Sequence, residues 1–250
     1  MAGPPRASIV VASGEHMNLW TCREESNAAL QATLGPLASL LESAFTRVDE
    51  AVDYFQRFLL TADAPAGRVC AVTVIKGRNL ALGCYSLALD GLAQESGALL
   101  RPLLVTIELL TYLRATPGAV DKALDAKLPK AGKRAAEISS PFQELREHLN
   151  AYASHLGFGA DSMRHILDIP AGRFRAVQPF NKAVLEQNMA TLFVFTAILA
   201  REAALCFQWC GVGVVPTSAE SLVEKALRCV DVGGQVVTPI FAKRGGLEGL

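Results

Sequence analysis

The sequence predicts a mainly all-α protein: a multi-helix bundle with a small β-hairpin near residues 163–177. Three observations carry this. Apolar residues recur at spacings of three and four along most of the chain, which lays one stripe along a helix. The regular alternation of strand-like and helix-like periods that marks a layered α/β fold is absent. The composition, 51% hydrophobic and 19% charged, compares with about 25% charged for an average soluble domain, so an unusual amount of apolar helix face needs covering.

Residues 1–13, rich in Pro, Ala and Ser, read as a loosely ordered terminus before one domain over 14–250. A first helix is expected over 15–34, stopped by Gly35 and restarted by Pro36, whose missing N–H suits a first helical position. The second, 37–59, has the clearest stripe, through Leu37, Leu41, Ala44, Val48, Ala51 and Phe55, and Pro65 and Gly67 are expected to end it. Residues 68–90 are apolar on every side, which predicts a central helix, and Gly77 and Gly83 within it predict close helix neighbours. Residues 92–114 carry Pro102, where a kink or restart is expected.

A short helix after Pro117-Gly118 is expected to lead into a solvated connector holding Lys127, Lys130 and Lys133. Ser140 and Gln143 then read as a capping box opening a helix with the stripe Phe142, Leu145, Leu149, Tyr152, Leu156. After the hairpin come a long helix over 180–210 and a short one over 217–229 opened by Thr217 and Glu220. The tail from Val230 reads as extended, turning at Gly233-Gly234.

Charge excludes more than it selects. Lysine plus arginine equal aspartate plus glutamate at 24 each, so no overall field gathers phosphate backbones, and there is no strong nucleic-acid signal. Six scattered cysteines and the lack of a secretory pattern in residues 1–13 read as reduced thiols in a cytoplasmic protein. The uncharged run from Met189 to Ala200 is too short to span a bilayer before Arg201 and Glu202 interrupt it, and reads as a buried core helix. Phosphate-loop, dinucleotide, nucleophile-elbow and zinc-protease motifs are all missing, so neither a cofactor nor a metal is expected.

The candidate site residues fall in two groups. His148 and His155, seven apart, flank the stripe of the capped helix, where imidazoles suit proton transfer; Glu144, Tyr152 and Ser154 accompany them. Their plainer reading is as histidines hydrogen-bonded at the stripe's edge. Arg101 and Glu108, also seven apart, share a face of an apolar helix, where ions need partners, such as Glu144 or His155 across the bundle; a structural salt bridge is the plainer reading. Cys206 and Cys210, four apart, read as small hydrophobes. Arg201 and Glu202, being adjacent, are expected to reach separate partners.

The stretch from Ala98 through Arg101 and Pro102 to Leu104, with Tyr112, Leu113, Arg114 and the helix from Phe142 to Gly157, resembles an uncharacterised group of bacterial all-helical proteins. In that group an arginine near the start of an apolar helix is followed by an acid one turn on, and a later helix carries a Ser-His pair. Arg101, Ser154 and His155 match; Val105 stands at the acid's place, leaving Glu108 as its candidate. The group is similar in outline to helical ribonuclease toxins of the HEPN type. Their arginine–histidine signature is absent, since neither Arg146 with His155 nor Arg164 with His165 has its spacing.

The expectation is a helical-bundle module that acts by binding or regulation, as a homodimer through an excess apolar face. The alternative is an enzyme, ribonuclease-like in one version, with a site built from Arg101, Glu108, His148 and His155. Peripheral membrane attachment through the helix after Phe180 is a third reading.

Overall fold

The computed structural model describes residues 20–58, 64–152, 167–168, 173–174, 179–211 and 218–242. Among them nine helices form an all-α bundle: α1 (Thr21–Ala32), α2 (Gly35–Phe58), α3 (Pro65–Leu89), α4 (Ala93–Ala115), α5 (Ala119–Leu124), α6 (Ala131–Glu137), α7 (Gln143–Tyr152), α8 (Lys182–Cys210) and α9 (Ser218–Ala242). Two short strands, β1 (Leu167–Asp168) and β2 (Arg173–Phe174), pair antiparallel with Leu167 opposite Phe174, in the stretch where the hairpin is predicted. The remainder of 163–177 lies outside the described residues.

The core is built around α8, which packs on α1, α2, α3, α4 and α9. Its residues are apolar on nearly all sides, and Met189, Leu199, Ala203, Cys206 and Phe207 are wholly buried. Asn181 starts it, its side-chain oxygen accepting from the N–H groups of Ala183 (3.0 Å) and Val184 (3.2 Å); this satisfies two donors that a helix start leaves open. The stripe predicted on α2 is buried at Leu37, Leu41, Ala44, Val48, Ala51 and Phe55. Phe55 and Tyr54 both meet the Phe207 ring edge-on.

The close approaches predicted at two glycines are found. A Cβ on Gly77 would sit 2.9 Å from Leu199 Cδ1 of α8 and 3.2 Å from Thr106 Cγ2 of α4; one on Gly83 would sit 2.9 Å from Leu99 Cδ1. The α3–α4 turn closes by a Schellman arrangement, the Leu92 N–H reaching the Leu87 carbonyl at 2.9 Å while Gly91 adopts φ +75°.

Several expectations need correction. Pro65 does not end α2 but opens α3, at the position where proline costs nothing. Alpha-helix α4 runs unbroken through Pro102 with no restart, because Leu103 and Leu104 are locked into the core beside it. The connector is not wholly solvated: α6 forms inside it, buries Ala135 and packs on α4. The tail from Val230 is not extended, and α9 continues through Gly233-Gly234 to Ala242. Gly233 serves contact rather than a turn, since a Cβ there would lie 1.9 Å from Phe193 Cζ. Pro239 is tolerated in the last turn because the carbonyl it frees belongs to exposed Gln235.

Nor is α3 central. It packs on α1, α2, α4, α5 and α8 but is not covered on every side, since Val72 (67% exposed), Ile75 (41%) and Leu82 (38%) face outward. Two helices, Ala93–Ala115 and Lys182–Cys210, have the length and apolarity to cross a membrane, yet 72% of the most apolar window of the latter is buried inside the bundle.

Candidate functional site

A buried carboxylate, Glu108, organises the most concentrated polar cluster among the described residues. The central position of α4 between α3 and α8 carries the side chain inward until it is 3% exposed. A carboxylate so far from water needs donors. One oxygen, Oε1, accepts from Ser140 Oγ (2.5 Å) and from Arg146 Nη2 of α7, which is itself mostly buried. The other, Oε2, is buried with no hydrogen-bond partner.

The local backbone explains how Ser140 gets there. Ser139 adopts φ +48° in the turn between α6 and α7, a left-handed conformation that a serine tolerates at modest cost. This reverses the chain so that the Ser140 hydroxyl faces α4. The capping box is thereby overturned: Ser140 Oγ accepts from the Phe142 N–H at 3.3 Å, and the Gln143 amide donates to Glu147 Oε1 at 3.1 Å instead of reaching back.

Around this pair the cluster widens. One helical turn beyond Glu108, Tyr112 is wholly buried, with its hydroxyl directed toward Glu137 of α6. Burial first, and then the charge of Glu137 and a hydrogen bond to it, raise its pKa, with Arg134 opposing. Arg134 of α6 approaches the same carboxylate and phenol; burial pulls its pKa down while Glu108 and Tyr112 push it back up. Its Nη1 donates to the Pro129 carbonyl at 2.5 Å, and its Nε, like that of Arg146, is buried without a partner. Two guanidinium groups thus surround one carboxylate, with an unpaired acceptor and two unpaired donors left over. A second buried carboxylate, Glu202 of α8, accepts from Thr111 Oγ1 (3.0 Å) and Arg114 Nη2 (2.7 Å) on the neighbouring flank of α4.

Of the residues singled out from sequence, Glu108 is at the centre. Arg101 lies half-buried two turns earlier with its Nε unpartnered, and the ion partner of Glu108 is Arg146. Glu144 is exposed on α7. His148 and Tyr152 are on α7, which packs on α4, but their side chains lie outside the described residues, as do Ser154 and His155 entirely. Arg201 is exposed and Glu202 buried, on different faces as expected, although Arg201 Nη1 also comes within 3.4 Å of Glu202 Oε1.

Sequence reasoning missed Ser140 as a ligand of the carboxylate, and missed Arg134 and Tyr112 altogether. Tyr112 had a signal, its four-residue spacing from Glu108; Arg134 had none, hidden in the basic connector. No group of His, Cys, Asp and Glu side chains able to hold a metal ion occurs among the described residues.

Fold and cluster together define an all-α helical bundle with a buried, incompletely satisfied ionic centre. No protein family, curated protein or solved structure matches the chain.

Proposed function

We propose that the protein works by binding, and that its first partner is a second copy of itself docked through the outer face of α3. The exposed apolar stripe Val72, Ile75 and Leu82 carries this reading. The three positions fall within about a quarter of the helix circumference at 100° per residue. Exposed Asn79 lies among them on the same face, so the stripe is apolar with one amide at its centre. Two copies of α3 crossing antiparallel about a two-fold axis would set Val72 against the other protomer's Leu82, the self-complementary arrangement an isologous dimer needs. The free thiols support a cytoplasmic location for this module.

Sedimentation velocity over a concentration series tests the proposal. The parent chain is expected to sediment as a dimer, and Val72→Glu with Ile75→Lys as a monomer with unchanged helical circular dichroism. A strictly monomeric parent at high concentration would overturn it.

The second reading, an enzyme working at the α4 cluster, is favoured by the unpartnered Glu108 Oε2, a buried acceptor that a bound molecule could satisfy. In this reading Glu108 is the base and Arg134 and Arg146 hold an anion. It is separable from the first because the cluster lies on α4, α6 and α7, none of which carries the α3 stripe.

A further inference from the structure

Three thiols meet where the start of α3 passes the end of α8. Cys70 lies in the second turn of α3, and Cys206 and Cys210 lie one turn apart at the close of α8. The Cys70 and Cys210 sulfurs are 4.0 Å apart. Cys206 is wholly buried, donates to the Leu110 carbonyl at 3.4 Å and also hydrogen-bonds with Cys70, so it is burial that separates it from Cys210. Cys70 is wholly buried, whereas Cys210 is half-buried and the most exposed thiol of the six.

We propose that Cys70 and Cys210 form a peroxide-responsive pair, with Cys210 the attacking sulfur and Cys70 the resolving one. Contact and unequal exposure assign the roles. The hydrogen bond to Cys70 supports them, holding the Cys210 thiol below its ordinary pKa, while hydrogen bonding with Cys206 first, then with Cys210, and then burial raise that of Cys70. A thiolate is the reactive form, and a partly exposed one beside a second thiol is the arrangement that oxidation selects. Closing 4.0 Å to a disulfide's bond length of about 2.05 Å needs a backbone or rotamer shift. Both residues sit near helix ends, where such a shift disturbs the fewest hydrogen bonds.

The oxidant is hydrogen peroxide. The Cys210 sulfur attacks one peroxide oxygen, an S–O bond forms as the O–O bond breaks, and the departing hydroxide leaves as water with the proton shed by the Cys210 thiol. The Cys70 sulfur then attacks the Cys210 sulfur. The S–S bond forms, the S–O bond breaks, and a second water leaves carrying the Cys70 proton. Two thiols are oxidised, one peroxide is reduced and two waters are released. The product links the first turns of α3 to the last turn of α8, and a cellular dithiol reverses it.

Peptide mapping of the full chain under non-reducing conditions, after a stoichiometric dose of hydrogen peroxide and alkylation of the remaining thiols, tests this. The expected result is a Cys70–Cys210 linked peptide lacking two hydrogens, with the other four cysteines alkylated. In Cys70→Ala the linked peptide is lost and Cys210 is recovered as the adduct of a sulfenic-acid trap; in Cys210→Ser neither appears. Circular dichroism checks that each variant is folded, and the parent result decides the matter if one is not. A Cys210 that stays alkylatable under peroxide that oxidises a free cysteine peptide would overturn the proposal, as would a linkage made through Cys206.

Discussion

A carboxylate withdrawn from water behaves according to what is left when its partner goes. Glu108 gives one oxygen to Ser140 and Arg146 and has none of its surroundings to spare for the other. Glu108→Ala strands Arg146, whose side chain is only 13% exposed, and removes a counter-charge near Arg134. Breaking a buried pair from one side costs about 3–5 kcal/mol. Glu108→Gln keeps an acceptor for Ser140 and is expected to lose less, on the order of 1–3 kcal/mol. The joint change Glu108→Leu with Arg146→Met should recover part of the single-variant loss, since no unpaired charge remains. Urea denaturation followed by circular dichroism measures all three, and a Glu108→Ala variant as stable as the parent would mean the charge is not stranded. By contrast Lys127–Asp125, at 75% and 60% side-chain exposure, is a pair whose removal should be silent. Helical spacing made Glu108 visible in the sequence as an ion in an apolar face. The identity of its partner was not visible, because Arg146 and Ser140 reach it only through a left-handed turn at Ser139 that no local pattern encodes.

At the level of elements, the adjacent glycines of α9 separate two effects that sequence alone merges. Gly233 lies under the Phe193 ring, with a would-be Cβ 1.9 Å from Cζ, while nothing lies within 4 Å of one on Gly234. Gly233→Ala must push a buried ring and part α8 from α9, an overpacking cost of about 1–3 kcal/mol or more. Gly234→Ala meets no obstacle and gains about 1 kcal/mol of helix propensity. Opposite shifts of the urea midpoint are therefore expected; equal shifts would argue against a helix packed on Phe193. This contrast also explains what was legible. Stripes on α2 and the glycine contacts of α3 could be read because periodicity records burial directly. The fate of 230–242 could not, because two glycines and Pro239 carry the local signature of a turn while the contact with α8 that keeps them helical is distant in sequence. The same holds for α6, whose alanines and lysines give no stripe and whose helix rests on packing against α4.

Across the whole molecule, burial of ionisable hydrogens sets a limit at alkaline pH. The Cys22, Cys84 and Cys229 thiols are raised by burial first, Cys70 by its thiol neighbours and burial, and the Tyr85 and Tyr112 phenols by burial, so the groups span α1, α3, α4 and α9. Cys84 is pushed from its ordinary 9.0 up to about 12. Below 9.0 the thiol is protonated in both folded and unfolded chains and the stabilising state is intact. As pH rises past 9.0 the unfolded chain releases its proton first, so stability falls until the folded thiol also titrates near 12. At about 1.4 kcal/mol per pH unit, this one group can withdraw several kcal/mol of a total stability of about 5–15 kcal/mol. The raised groups act in the same direction, and Cys210, lowered by Cys70, opposes them. The denaturant midpoint is therefore expected to hold level to about pH 9 and fall steeply beyond it. Cys84→Ala should flatten the slope while costing stability at neutral pH through the contact it loses. A midpoint unchanged between about pH 8 and pH 11 would mean that these thiols open to solvent without unfolding, against the closed core that the helices build around α8.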